Sequence, residues 1–154
     1  MDAGIVPRPL DLAIASARFG HRLVAQLDAD LAGLGLTWAQ LRALMALADA
    51  GGLVHAGAIG RRLDVSRQAA HRLLARLDEH GFLTWQDDGW IRSARLTPMG
   101  NRALDDALTA IDRTLSAFLG LEPEERRALG RILRHAGVEL HRAAQPPETP
   151  WWWD

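Results

Sequence analysis

Residues 58–97, AIGRRLDVSRQAAHRLLARLDEHGFLTWQDDGWIRSARLT, decide the fold. Ser66 suits a helix N-cap, because its hydroxyl can accept a hydrogen bond from one of the first free helical N–H groups. Beyond it, Ala70, Leu73, Leu74 and Leu77 stand at i, i+3, i+4 and i+7, one apolar stripe facing a core. Gly81 stops that helix at C′. Upstream, Ile59 and Leu63 mark a shorter helix, and Asp64-Val65 is a tight connection between the two. Downstream, Asp88-Gly89 sits between two strand-like runs, a strong short-range hairpin signal.

Short helix, turn, longer helix and hairpin make a winged helix-turn-helix. Arg67, Gln68, His71 and Arg72 lie off the apolar stripe, bunched in the first two turns of the longer helix. A helix that reads a major groove needs long donors there, since its N-terminal end meets the base edges. Arg on the wet face of an isolated helix is ordinary. The turn, the stop and the hairpin around this one make a DNA-binding unit the better reading. With Asp88-Gly89 as a two-residue turn, Trp85 is expected opposite Arg92 and Leu83 opposite Ala94. The Trp85 indole is then expected to stack on the Arg92 guanidinium and hold it extended.

The chain of 154 residues is long enough for one sizeable core, and 48% hydrophobic with 24% charged residues is a globular balance. Charge interrupts every apolar stretch before 18 residues, so no membrane span is expected. The N-terminal residues carry no basic leader ahead of their apolar part, which argues against a secretory signal and for a cytoplasmic protein. There is no cysteine, which removes disulfides and thiolate metal sites, and all 18 basic residues are Arg. Arginine suits planar, bidentate contacts to phosphate and guanine, although codon bias accounts for the choice equally well. The net charge of −1 hides a mild asymmetry: seven Arg face five acids in residues 58–97, and the remainder is acidic.

Around this centre the chain reads as further helices. One is expected from Leu10 to about Ala32, with Phe19, Leu23, Leu27, Leu31 and Leu34 at helical spacing and Gly33 and Gly35 as its end. Thr37-Trp-Ala-Gln40 is a capping box, and the helix it opens carries Trp38, Leu41, Leu44, Met45 and Ala48 on one face until Gly51-Gly52. Leu53-Val54-His55 suits a small third strand at the base of the wing. Thr97-Pro98 starts a helix to about Leu119, and Pro123 opens a last one that ends near Ala144. The framing helices carry apolar stripes outside an already complete small lobe. A second copy is the simplest partner for them, giving a two-fold dimer with recognition helices roughly 34–36 Å apart and a pseudo-palindromic site.

This arrangement resembles the MarR family of bacterial transcription regulators over nearly the whole chain. The residues that carry the resemblance are Leu36-Thr37-x-x-Gln40-Leu41, Ile59-Gly-Arg-Arg-Leu63, Val65-Ser66-Arg67-Gln68, Leu77-x-x-x-Gly81-Phe82-Leu83 and Leu96-Thr97-x-x-Gly100, in that order. The resemblance implies a single domain over 1–154. Its DNA-binding lobe is residues 37–97, its dimerisation helices are 10–34 and 98–144, and residues 145–154 form a Pro/Trp tail. It further implies a repressor that binds double-stranded DNA as a homodimer and is released by a small aromatic or anionic ligand. The family's motif puts Ser66, Arg67, Gln68, His71 and Arg72 in the groove, with Arg61 and Arg62 on the supporting helix near phosphate. The wing departs from the pattern: Trp90 stands where the family carries a minor-groove Arg, and the tip is short. Arg92 and Arg95 are the available substitutes, and Trp90 is first of all a packing residue, with a wedge against the sugar edge or a dimer contact as the alternatives.

No catalytic constellation stands out, and no cofactor or metal is expected. His135 and Glu139 are four apart on the last helix, but two ligands are not a site. Arg18, His21 and Arg22, with Trp38 as an aromatic wall, are the candidates for an anionic ligand; a wet Arg face and a core Trp38 are the plainer alternative. Trp151-Trp152-Trp153 is the oddest feature. Packing on the framing helices is its plainest use, and a protein-interaction module acting through this tail instead of DNA is the alternative function.

Overall fold

The computed structural model describes residues 8–87, 92–120 and 122–144, with the backbone alone at 117–119 and 138–144. Helix α1 runs Pro9–Leu31 and passes through a 3-10 turn, Ala32–Leu34, to α2 at Trp38–Ala50. Strand β1 (Val54–His55) leads into α3 (Ala56–Leu63) and α4 (Arg67–Glu79). Strands β2 (Leu83–Asp87) and β3 (Arg92–Leu96) precede α5 (Pro98–Leu119) and α6 (Pro123–Ala144). The protein is therefore mainly helical, with one three-stranded antiparallel sheet in the order β1-β3-β2. The small third strand at the base of the wing is present, as Val54 opposite Ala94 and His55 opposite Ser93.

Local chemistry fixes the joints. Gly35 takes a left-handed φ of 67°, which a residue with a side chain adopts at a cost, and turns the chain out of α1. Thr37 Oγ1 then accepts from the Gln40 N–H at 3.2 Å while Gln40 Oε1 accepts from the Thr37 N–H at 2.8 Å, so the expected capping box is formed. One step on, the Trp38 N–H donates to Asp28 Oδ1 of α1 at 2.6 Å. The first free donor of α2 is thus satisfied by the preceding helix, which fixes the angle between them.

The wing register differs from the expected one. Asp87 lies opposite Arg92, Trp85 opposite Ala94 and Leu83 opposite Leu96. Residues 88–91 fall between the last paired residues, and the Asp88-Gly89 turn and Trp90 lie outside the described residues. The displacement is two residues, so every side chain keeps its face. Leu83, Trp85 and Ala94 turn inward, while Thr84, Gln86 and Arg95 are exposed. The expected stack survives the shift: Arg92 Cζ lies 4.4 Å from the Trp85 ring centroid, reached diagonally.

The core draws Leu27 and Leu31 from α1, Leu41, Leu44 and Leu47 from α2, Ile59 and Leu63 from α3, and Leu74 and Leu77 from α4. Leu104, Ala107 and Ile111 complete it from α5. Three positions assigned to apolar stripes are exposed: Met45, where Ala43 and Leu47 take the buried face of α2, Phe19 on α1, and Leu34 in the 3-10 turn that follows it. Residues up to Thr114 form one compact unit and those from Leu115 a second, the division falling within α5. No single described helix is long and apolar enough to cross a membrane.

Candidate nucleic-acid interface

The helix-turn-helix is built on close approach. Gly60 in α3 faces α4, where an added Cβ would stand 3.0 Å from the Val65 carbonyl oxygen and 3.5 Å from Ala70 Cβ. Asp64 caps α3 in the left-handed region, φ 56°, which Asp tolerates better than most residues. Its N–H returns to the Arg61 and Gly60 carbonyls, and the Val65 N–H also reaches Gly60 O at 2.9 Å. Arg42 of α2 donates to the Leu63 carbonyl at 3.0 Å, closing the end of α3 from outside. Ser66 Oγ accepts from the Ala69 N–H at 3.1 Å, so α4 starts where its cap predicts.

This geometry sets out the side chains read from the sequence. Arg67, Gln68, His71 and Arg72 are all exposed along the first two turns of α4. Arg61, Ser66, Arg67, His71 and Arg92 line one open cleft of about 760 Å³ between α3, the turn, α4 and β3. His71, Arg72 and Arg92 also border a second cleft of about 390 Å³ beside Trp85. Arg62 is different: its guanidinium pairs with Asp49 of α2. Among the described residues no carboxylate lies within ion-pair reach of Arg61, Arg67 or Arg72. Arg95 is exposed on the opposite face of β3 from Arg92, because strand residues three apart point to opposite sides.

His55 joins the larger cleft without having been singled out. It is the N-cap of α3, its Nδ1 accepting from the Ala58 N–H at 3.2 Å, which leaves the ring proton on Nε2. Histidine is a rare cap, so helical periodicity gave no signal for it. The cleft thus gathers guanidinium, imidazole and hydroxyl donors beside the first turn of α4, where free backbone N–H groups add partial positive charge. Such a surface suits phosphate oxygens and base-edge acceptors.

Residues 34–91 match the family model for the MarR family. The chain resembles that family over those residues, which hold its winged helix. No curated protein matches it. Among solved structures it is similar to a MarR family transcriptional regulator from Streptomyces coelicolor, 23% identical over 88% of this chain and 98% of that one, with a TM-score of 0.77. BpsR of Bordetella bronchiseptica, whose DNA binding is regulated by 6-hydroxynicotinic acid, is 24% identical over 86% and 99%, TM-score 0.73. A MarR family protein of Mycobacterium tuberculosis solved in complex with DNA is 23% identical over 85% and 99%, TM-score 0.69. These likenesses establish the MarR fold along most of the chain.

The MarR-like motif after the wing has a physical reason here. The Thr97 hydroxyl donates to the Gly81 carbonyl at 2.7 Å and accepts from the Gly100 N–H at 3.0 Å, capping α5 while holding the end of α4. The Thr97 N–H reaches Phe82 O at 3.1 Å. Gly100 lies so close that a Cβ there would stand 1.9 Å from the same Phe82 oxygen. The residues assigned to a ligand are less gathered. Arg18, His21 and Arg22 are exposed on α1, and Trp38 is half-buried. The Trp38 backbone is held at Asp28, six residues and about 9 Å along α1 from Arg22. None of the four borders the two clefts at α4. Among the described residues no three His, Asp or Glu side chains cluster as a cation site.

Proposed function

We propose that this chain is a DNA-binding transcription regulator, a repressor that binds a pseudo-palindromic operator as a homodimer. The observation that carries the reading is the shared surface of Arg61, Ser66, Arg67, His71 and Arg92 around the start of α4. Arg67, Gln68, His71 and Arg72 read base edges, and Arg61 and Arg92 hold phosphate or the minor groove. Arg62, already paired with Asp49, and Arg95, on the far face of β3, contribute less. The dimer is supported by apolar side chains left open on the framing helices, with Leu10 65% exposed on α1 and Ile132 63% on α6.

A small aromatic or anionic ligand modulates the binding, as 6-hydroxynicotinic acid does for BpsR. Arg18, His21, Arg22 and Trp38 are its candidate holders. Residues 37–97 act as the DNA-binding lobe and 10–34 with 98–144 as the dimerisation helices, in the cytoplasm and without enzymatic activity. The test is fluorescence anisotropy of the protein on its own upstream intergenic DNA at several salt concentrations. Binding that outcompetes random duplex and weakens steeply with salt is the expected result. Affinity no better than for random DNA would overturn the reading and turn attention to a protein partner of the tryptophan tail.

A further inference from the structure

Three elements meet on one indole. The His71 ring of α4 stacks on Trp85 of β2, with centroids 6.5 Å apart and planes inclined by 18°. Arg92, the first residue of β3, places its guanidinium carbon 4.4 Å from the centre of the same indole. His71 and Arg92 together border both clefts beside α4, so this stack is the wall between them. Trp85 is half-buried, with Ala94 opposite it on the sheet.

We propose that Trp85 is a positioning residue for DNA recognition, coupling His71 of the recognition helix to Arg92 of the wing so that both engage DNA as one unit. The inference rests on the DNA-binding reading above. Long side chains lose rotamer freedom on binding, and a guanidinium already laid on an indole has lost part of it beforehand. The imidazole on the same ring is restrained in the same way. Displacing either partner loosens the indole, and the loosened indole frees the other. The contacts of α4 and of the wing therefore lose their independence, which an Arg standing free in solvent would retain.

The experiment is a mutant cycle on operator affinity: His71→Ala, Arg92→Ala and the double variant, each with Trp85 and with Trp85→Leu. With Trp85 present, the double variant is expected to lose at least about threefold less affinity than the product of the single losses; with Trp85→Leu the losses multiply. Trp85→Phe retains a flat ring and is expected to restore the coupling, with thermal melts verifying each fold. Losses that multiply with Trp85 in place, or coupling that persists with Trp85→Leu, would overturn the proposal. Proton NMR of the DNA-free wild type supplies an arm that needs no variant of Trp85. The His71 imidazole signals are expected to be shifted upfield by the indole and to move on Arg92→Ala; unshifted signals would overturn the stack. Wild-type protein that ignores the operator brings down the DNA-binding reading itself. Tight wild-type binding with independent losses brings down only the coupling.

Discussion

At the scale of residues, position on a face outweighs identity. Eleven of the 18 arginines lie outside residues 58–97, and within that stretch the structure separates equals. Arg92 lies on the indole and borders the clefts, whereas Arg95 points from the other face of the same strand. Arg92→Ala is therefore expected to weaken operator binding more than Arg95→Ala, read as two Kd values at one salt concentration. Arg72→Ala should cost roughly 1–3 kcal/mol of binding if its contact is bidentate to guanine, measured by the same anisotropy titration. Gly100 is the extreme case for stability. The 1.9 Å approach of a built Cβ to Phe82 O leaves Gly100→Ala no room, and backbone must move. A loss on the order of 3 kcal/mol in urea unfolding is expected.

At the scale of elements, caps and spacings were readable and distances across the fold were not. The stripe Ala70, Leu74, Leu77, the Ser66 cap and the Gly81 stop lie within one short stretch, and each acts through its near neighbours. The capping box at Thr37 and Gln40 is equally local. Thr37→Ala should cost about 1 kcal/mol of stability, seen as a lower midpoint in urea with an unchanged slope. The wing register is not legible in the sequence, because Asp-Gly signals a tight turn while the register is settled by where the strands meet the core. Leu83 and Ala94 are both buried, and the register opposes them to Leu96 and Trp85. Arg62 shows the same limit in the candidate site: its partner, Asp49, lies on another helix 13 residues away, where no periodicity points. His55 escaped notice because its ring caps a helix in a role seldom given to histidine.

At the scale of the whole molecule, the winged lobe is closed and the framing helices are open. Leu10, Leu12 and Ile14 of α1 and Ile132 and Leu133 of α6 all stand well exposed in the single chain. Burying apolar area of this kind contributes roughly 25 cal/mol per Å², so leaving it in water is costly. If the proposed dimer forms through these faces, the paired substitution Ile132→Glu with Leu133→Glu is expected to shift it to monomer in light scattering. It should weaken operator binding while leaving the α4 surface intact, because one recognition helix alone spans only half of a two-fold site.

The joint between Phe82 and Gly100 also bears on how this chain can vary over generations. Most tight contacts are made by atoms that a second substitution can trim, so drift around them is reversible. This one depends on an atom that is missing, and the group it would strike is a main-chain oxygen that no codon change removes. Position 100 should then be strongly depleted of replacements in a saturation library, while Gly33 and Gly52, with open space around them, accept many.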